Sequence, residues 1–295
     1  MNELLTTEEA AAYLRLSERK LYDLVAAGTV PCTKATGRWL FPKTDLDRWL
    51  SASALQPEAL SRTPAPPIVG GSSDPLLDWS LRESGSGLAS LPEGSESGLR
   101  RLRHREVVAA AIHLHRLDGD DENANIDAVS SDLSLHDAVV VSFARREQGL
   151  LVAPGNPKDL TDMKAVLKRK ARLAVRPQGA GAQLLLLALF DKAEADPGQI
   201  SKDAPVCHTG QDIAQAIREG RADCGIATRS VAVAAGVDFI PLVWERFDLV
   251  LRQRDYFLPP QQALFSFLGS AAFRNRAKAV PGYEVSETGK IRLVK

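Results

Sequence analysis

The stretch LTTEEAAAYLRLSERKLYDLVAAGTVPCTKATGRWLFPKTDLDRWL, residues 5–50, decides the fold of the first part of the chain. Thr6 is followed three residues later by Glu9, and this capping-box spacing predicts that a helix begins there. Ser17 is expected to cap a second helix, which ends at Gly28. Because only about three residues separate the two helices, we expect them to cross steeply, as in a helix-turn-helix.

A short hairpin and a third helix are predicted to follow. Residues 30–32 and 39–41 flank a turn that contains Gly37, a pattern that favours a two-stranded wing. Thr44 is expected to cap a last short helix with the sequence DLDRWL. Three apolar residues of this segment are expected to close a small core: Leu46, Trp49 and Leu50.

Basic side chains are concentrated on the second helix and the hairpin. The whole chain carries 37 Lys and Arg against 37 Asp and Glu, so it has no overall positive field to attract DNA, and any DNA contact must depend on local clustering. Arg19, Lys20 and Tyr22 lie in the first turns of the second helix, where a recognition helix presents side chains to a groove. Lys34 and Arg38 are expected to project from the wing toward phosphates. The alternative is a protein-interaction module with a solvated basic face.

The segments TTEEAAAYLRLSERKLYDLVAAGTVP and GRWLFPKTDLDRWL, in this order, resemble the excisionase-type and MerR-type helix-turn-helix family. The resemblance covers about the first fifty residues. It implies sequence-specific binding of double-stranded DNA through the second helix and the wing. The residues that take these roles by resemblance are Ser17, Arg19, Lys20, Tyr22, Lys34 and Arg38.

A chain of 295 residues is expected to form two or three folded units, on the prior of about 100 to 200 residues per domain. Residues 51–67, SASALQPEALSRTPAPP, have many small residues and prolines and few large apolar ones, which is typical of a linker. We therefore predict a DNA-binding domain over residues 1–52, a linker over 53–66 and a ligand-sensing domain over 67–295.

From Ile68 onward, short apolar runs alternate with helical patterns, which indicates an α/β fold with a mostly parallel sheet. The first predicted strands are residues 68–70, 88–91, 106–114 and 138–143. Two strand-to-helix junctions, GSSD at residues 71–74 and GSESG at residues 94–98, offer hydroxyls and free backbone N–H groups at positive helix ends.

A second compact region is predicted beyond residue 150. Residues 172–175 and 224–227 read as strands, RPQGAGAQ at residues 176–183 is a glycine-rich junction, and a helix is expected to be capped near Thr209. Residues 237–253 give two extended runs that can return to the first region. Two lobes joined by extended crossovers make a cleft, and ligands of open α/β sheets bind at such carboxyl strand ends.

This half of the chain, about residues 67–256, resembles periplasmic-binding-protein-like sensor domains and, more distantly, molybdate-binding proteins. The pieces that match include GSSD, GSESGL, RREQGLLVAPGNP, RPQGAGAQ and IREGRADCGIAT. The resemblance implies a type II two-lobed α/β domain that closes on a small ligand, with molybdate, tungstate or molybdenum-cofactor metabolism as the nearest associations. The ligand contacts that it implies are Ser72, Ser73, Ser95, Gly179, Ala180 and Thr209. Relatives often carry a serine or threonine and an arginine in the glycine-rich junction; this chain has Ala180, Ala182 and Gln183 there, and so fewer hydroxyl donors.

No catalytic or metal-binding pattern accompanies these features. His113 and His115 alternate along a predicted strand, so they are expected to point to opposite faces and not to share one metal ion. RPQGAGAQ lacks the GK[ST] ending of a nucleotide-binding loop. There is no nucleophile elbow and no HExxH, so we predict neither an enzyme nor a bound cofactor.

We also expect a cytoplasmic protein without membrane contact. The three cysteines have no metal-ligand spacing, and neither a signal peptide nor a long apolar run is apparent.

The sequence thus predicts a ligand-responsive transcriptional regulator, acting as a homodimer or higher homo-oligomer, with a small anion as effector and molybdate or tungstate as the leading candidates. Serines and backbone amides suit a tetrahedral anion, a carboxylate or a sugar-like hydroxyl cluster almost equally well. Two alternatives therefore stay open: a regulator of the same kind that senses a small organic or molybdenum-cofactor-related compound, and a molybdenum-metabolism protein with an accessory helix-turn-helix.

Overall fold

The computed structural model describes residues 4–34, 37–53, 64–116, 122–200 and 203–295. The chain divides into two compact units, Met1–Pro64 and Ala65–Lys295. Most of the predicted linker lies outside the described residues, so the predicted domain limits stay a prediction.

The first unit begins with the two helices that the sequence predicts. Thr6 and Glu9 form the expected capping box, and the Ser17 hydroxyl accepts from the backbone N–H of Lys20. The unit contains β1 (Leu4–Leu5), α1 (Thr7–Leu14), α2 (Glu18–Ala26), β2 (Phe41–Pro42) and α3 (Lys43–Ser53). Its buried core consists of Leu5, Ala10, Ala11, Leu21, Val30, Phe41 and Leu46.

The hairpin differs from the predicted wing. Within the described residues, its two arms pair only at the bridge between Thr33 and Leu40. Phe41 pairs instead with Leu5 in an antiparallel arrangement that buries both side chains, a long-range contact that local sequence does not reveal.

The third helix also differs in detail from its prediction. It begins at Lys43, directly after Pro42, so Thr44 lies within its first turn and does not precede it. Leu46 is fully buried, whereas Leu50 is 42% exposed and does not close the core. Trp49 is partly buried and packs against this core as predicted, so Leu50 is the member of the three that departs from the prediction.

The second unit is a two-lobed α/β domain built on one mixed sheet, with the strand order β4-β3-β5-β9-β6-β8-β7. Its first lobe comprises β3 (Ile68–Gly71), α4 (Pro75–Glu83), β4 (Ala89–Pro92), α5 (Ser95–Arg103), β5 (Ala109–Ile112) and α6 (Ala124–Ser131). Strand β6 (Ala138–Val152) crosses to the second lobe, which comprises α7 (Met163–Lys168), β7 (Leu173–Ala174), α8 (Gly181–Lys192), α9 (Gly210–Arg218), β8 (Cys224–Thr228) and α10 (Arg229–Ala235). Strand β9 (Asp238–Arg252) returns, followed by α11 (Gln253–Tyr256), α12 (Pro259–Leu268), α13 (Ala271–Ala279), β10 (Tyr283–Glu284) and β11 (Ile291–Val294).

The prediction of a mostly parallel sheet is wrong for the crossover region. The β3–β4, β3–β5 and β7–β8 pairs are parallel, as expected within each lobe. The two crossover strands β6 and β9 are antiparallel to each other, because the chain passes through the middle of the sheet once in each direction. Strand β9 is also antiparallel to its other neighbour β5, and β6 is antiparallel to β8.

Each crossover is one continuous strand of 15 residues. The sequence predicted that a strand ends at Phe143 and that residues 237–253 form two separate runs, because polar residues interrupt the apolar pattern in both. These polar residues are buried in the structure: Arg146, Glu147, Gln148 and Glu245. The middle of the crossover therefore carries the charged groups that the site uses.

Candidate functional site

A small, partly open space lies between the two lobes, at the carboxyl ends of their strands and beside the crossover. We call it the chamber. Its volume is about 30 Å³. Its walls are formed by Ser72, Ser73, Pro75, His113, Arg146, Gln148, Arg176, Ala180, Gly181, Ala182, Gly210, Gln211, Ala227, Thr228 and Val231.

Close backbone contacts hold the lobes together around the chamber. The Glu96 N–H of the first lobe donates to the Gly179 carbonyl oxygen of the second at 3.2 Å. Gly94 has a φ of +90°, and a Cβ on it would lie 3.1 Å from Ala180 Cα. The glycines of GSESG and RPQGAGAQ thus allow the two junctions to touch, and the structure is of a closed arrangement.

Arg146, in the middle of β6, is the centre of a buried network of charges. Its Nη1 donates to Asp74 Oδ2 at 2.8 Å, and its Nε donates to Glu245 Oε1 at 2.5 Å. The guanidinium carbon lies 4.0 Å from the centre of the Phe247 ring. Burial opposes the charge of Arg146, but Glu245 and Asp74 outweigh it and raise the pKa of Arg146. The arginine therefore stays charged and is compensated by two carboxylates.

Glu245 has a second set of partners on the neighbouring strand. Its Oε1 also accepts from Gln148 Nε2 at 3.0 Å, and its Oε2 lies 2.8 Å from His115 Nε2. Burial would raise the pKa of Glu245, but the charge of Arg146 and the hydrogen bond with His115 outweigh that effect and hold this pKa well below its usual range. The carboxylate is therefore ionised and can only accept hydrogen bonds.

His113 presents one ring nitrogen to this network. Its Nδ1 lies 2.8 Å from Arg146 Nη2, and a guanidinium can only donate, so Nδ1 must accept. Burial holds the pKa of His113 well below its ordinary value, which keeps the ring neutral. The single ring proton therefore sits on Nε2, which is buried at the chamber wall without a hydrogen-bond partner in the described part of the chain.

The two histidines do not behave as the sequence predicted. Strand β5 ends at Ile112, so neither His113 nor His115 lies within it. Their rings are in edge contact, with centroids 6.0 Å apart, and both lie near Glu245. The expected separation to opposite faces is wrong because the alternation of a strand no longer applies. Among the described residues, no group of three or more His, Cys, Asp or Glu side chains could hold a metal ion.

The structure brings three of the predicted ligand contacts to the chamber, namely Ser72, Ser73 and Ala180. Ser95 lies behind the wall, fully buried, with its hydroxyl bonded to Ser72 and to the His113 backbone. The Thr209 hydroxyl accepts from the Asp212 N–H and so caps α9. Gly179 packs against the Glu96 side chain.

Six polar residues of the chamber were missed from the sequence: His113, Arg146, Gln148, Arg176, Gln211 and Thr228. A signal for two of them was present, because Arg146 and Gln148 fall in a polar interruption between two apolar runs that both read as strand. Arg176 opens the glycine-rich junction that the sequence singled out, but nothing local indicates where its side chain points.

The six predicted DNA-binding residues are all exposed on the first unit. Tyr22 is 47% exposed on α2, although it is a large aromatic residue. Lys34 Nζ lies 5.2 Å from the centre of the Trp39 ring, which limits where its charge can be placed. The unit thus offers cations and an aromatic side chain to solvent on the elements where the sequence predicts them.

Comparison with known proteins relates each unit to a family. The family model described as "PBP superfamily domain" matches residues 79–269, and the model described as "Helix-turn-helix domain" matches residues 4–54. Both matches confirm the fusion of the two resemblances predicted from the sequence. No helix of the described residues is long and apolar enough to cross a membrane.

Two relatives are described as uncharacterized proteins. The chain is 25% identical over 303 residues to the protein YvgK of Bacillus subtilis, a match that covers 98% of this chain and 97% of YvgK. It is 32% identical over 97 residues to a protein of Clostridium pasteurianum described as lying in the ferredoxin 2Fe-2S gene 5′ region, a match that covers 32% of this chain and 86% of that protein.

Solved structures support the fold class. A putative phosphate ABC transporter substrate-binding protein from Clostridium perfringens, with bound phosphate, has a TM-score of 0.52 and 11% identity, covering 76% of this chain and 99% of that one. The tungstate ABC transporter protein from Geobacter sulfurreducens has a TM-score of 0.50 and 13% identity, covering 70% of this chain and 95% of that one. At such identities the likeness shows the fold alone, and the predicted two-lobed α/β class is confirmed.

Proposed function

The chain belongs to the PBP superfamily and carries a helix-turn-helix domain in its first part, and on this premise we propose that it is a transcriptional regulator whose binding to double-stranded DNA responds to a small anion held in the chamber. The observation that carries the proposal is the chamber itself, with Arg176 in its wall, in the same chain as a unit that exposes Arg19, Lys20 and Lys34.

Arg176 and two helix ends supply the attraction for an anion. The Arg146 network cannot supply it, because one guanidinium there faces two carboxylates. The Nε of Arg176 is buried without a partner among the described residues, while its Nη2 donates to the His208 carbonyl oxygen at 2.5 Å. Helices α8 and α9 begin at the chamber with Gly181 and Gly210, and the start of a helix carries about half a positive charge.

The size of the chamber favours a compact effector. A cavity of about 30 Å³ corresponds to roughly two or three water positions. Molybdate and tungstate, which the sequence resemblance implies, are compact tetrahedral anions, and so are phosphate and sulfate. A ligand as large as a molybdenum-cofactor precursor would require the lobes to separate, so this alternative is the weaker one.

We further propose that two or more copies act together on a paired DNA site. A single helix-turn-helix contacts one half-site, and linking two of them raises the effective concentration of the second contact. An effector that binds the closed lobes more tightly than open ones would shift the population of the two arrangements and could thereby change DNA affinity. Light scattering of the purified chain with and without an anion tests the assembly.

Two measurements test the regulatory function. A thermal-shift screen uses phosphate, sulfate, molybdate, tungstate and small organic acids, because a ligand at 100 times its dissociation constant adds about 2.7 kcal/mol to the stability. Fluorescence anisotropy then measures the affinity for DNA selected from a random library, with and without the stabilising anion. Arg176→Gln should abolish the thermal shift, whereas Arg169→Gln, on the exposed surface, should keep it. If no anion changes either melting or DNA affinity, the proposal is wrong.

A further inference from the structure

The hydrogen bonds behind the chamber wall decide which wall atoms can donate and which can only accept. Gln148 is the first case. Its Nε2 donates to the ionised Glu245 carboxylate at 3.0 Å, and a carboxylate cannot donate in return, so the orientation of the amide is fixed. Its carbonyl oxygen Oε1 is left buried without a partner among the described residues. Gln148 therefore offers the chamber an acceptor.

Ser72 offers the chamber lone pairs as well. The Ser95 hydroxyl lies 2.9 Å from the His113 carbonyl oxygen, which only accepts, so the Ser95 hydrogen is used there. Ser72 Oγ lies 2.8 Å from Ser95 Oγ and must therefore donate to it. The Ser72 hydroxyl, predicted from the sequence as a ligand contact, has no hydrogen left for a ligand.

The same argument applies to Thr228 on the opposite lobe. The Tyr283 hydroxyl donates to Asp74 Oδ2 at 2.9 Å. Ser230 Oγ, 3.2 Å from the Tyr283 oxygen, must then donate to it, and Thr228 Oγ1, 2.9 Å from Ser230 Oγ, must donate to Ser230. The hydrogen of Thr228 is thus used by Ser230, and the Thr228 hydroxyl can offer a ligand only an acceptor.

Donors face the same space. His113 and Arg176 belong to the chamber wall, and the His113 Nε2–H and the Arg176 Nε–H are both buried without a partner in the described part of the chain. Where a partner behind the wall fixes the direction of hydrogen bonding, the wall thus combines these two donors with three acceptor oxygens, those of Gln148, Ser72 and Thr228. Ser73 and Gln211, which also line the chamber, can either donate or accept. An anion with acceptor oxygens alone can pair with the donors but cannot donate to any of the three acceptors.

We infer that the effector carries at least one O–H or N–H donor beside its anionic group. Hydrogenphosphate and small hydroxy- or amino-carboxylates have this chemistry. Sulfate, molybdate and tungstate do not, because at neutral pH their oxygens only accept. The inference rests on the proposed function and narrows it, since it moves the effector away from the molybdate and tungstate that the sequence resemblance implies.

Isothermal titration calorimetry of the full chain at pH 7.5 tests the inference with pairs of probes that differ in one hydroxyl. Phosphate is compared with sulfate, glycolate with acetate, and molybdate is measured beside them. The donor-bearing member should bind roughly tenfold to a hundredfold more tightly, because its partner leaves a buried acceptor unpaired. A preference for phosphate over sulfate identifies an inorganic effector, and a preference for glycolate over acetate identifies an organic acid.

The contrary results are distinct. If sulfate, acetate or molybdate binds at least as tightly as the donor-bearing probes, the inference fails while anion sensing stands. If none of the probes binds, both the inference and the anion-sensing function fail.

Variants of the acceptors give a second test. Thr228→Val keeps the shape of the side chain, and Gln148→Leu removes the amide; each should reduce the preference for phosphate over sulfate, or for glycolate over acetate, by about tenfold. Gln178→Leu, at an exposed position outside the chamber, should leave the preference unchanged. Circular dichroism establishes that each variant is folded. An unchanged preference in folded Thr228→Val and Gln148→Leu overturns the assignment of these oxygens.

Discussion

Replacement of Arg146 by methionine tests whether the buried charges hold the crossover together. The side chain is 1% exposed and faces two carboxylates, Asp74 and Glu245, which are also almost fully buried. Methionine fills a similar length but supplies no charge, so both carboxylates lose their compensation. Removal of one partner of a buried ion pair costs about 3–5 kcal/mol, and we expect Arg146→Met to lose at least that much.

The neighbouring residue provides a matched control. Arg145 is 37% exposed in its side chain and pairs with Glu284 at 3.5 Å. An exposed pair of this kind contributes about 0–1 kcal/mol, so Arg145→Met should change the stability little. Urea unfolding followed by circular dichroism at pH 7 compares the two variants with the unchanged protein. If Arg146→Met costs no more than Arg145→Met, the network does not stabilise the domain and the reasoning is refuted.

The pH dependence gives a second readout of the same perturbation. The pKa of Glu245 is lowered in the folded protein, so its contribution is present above the unfolded pKa, near 4.5, and is lost as pH falls through the folded value. In Arg146→Met the carboxylate loses a cation, its folded pKa rises, and the charged form becomes unfavourable. The deficit of the variant should therefore shrink as the pH falls below about 5. A deficit that grows in acid would contradict this account.

Three further predictions follow from the structure. Gly181→Ala should destabilise the protein by about 1–3 kcal/mol and weaken anion binding, because the new Cβ would lie 2.3 Å from His113 Nε2. Thermal melting measures the loss of stability and calorimetry the loss of affinity. An unchanged affinity would contradict the chamber as the anion-binding site. Ser17→Ala should cost the first unit about 1 kcal/mol through loss of the α2 cap, measured by urea unfolding, with no loss expected in the second unit. Arg19→Ala and Lys20→Ala should each weaken DNA binding. Where the residue contacts a phosphate, the slope of log affinity against log salt concentration should also fall by about 1. Anisotropy at several salt concentrations measures both effects, and full affinity in both variants would exclude α2 as the recognition helix.

Local patterns in the sequence were sufficient for several helix starts and for the strands within each lobe. The capping box of Thr6 and Glu9 and the caps at Ser17 and Thr209 lie where the sequence predicts helix starts. These features could be predicted because a cap is a contact between residues two or three positions apart. The resemblances added the two-lobed fold, and the glycine-rich junctions pointed to the strand ends where the chamber lies.

The tertiary structure alone decided the chemistry of the chamber. Arg146 and Glu245 are 99 residues apart in the chain, and their pairing across β6 and β9 turns a polar interruption into the centre of a continuous strand. Ser72 reads as a hydroxyl donor in the sequence, but its hydrogen is used by Ser95, which in turn is fixed by the His113 backbone. Whether a polar side chain offers a ligand a donor or an acceptor depends on the partner behind it, and that partner lies far away in sequence.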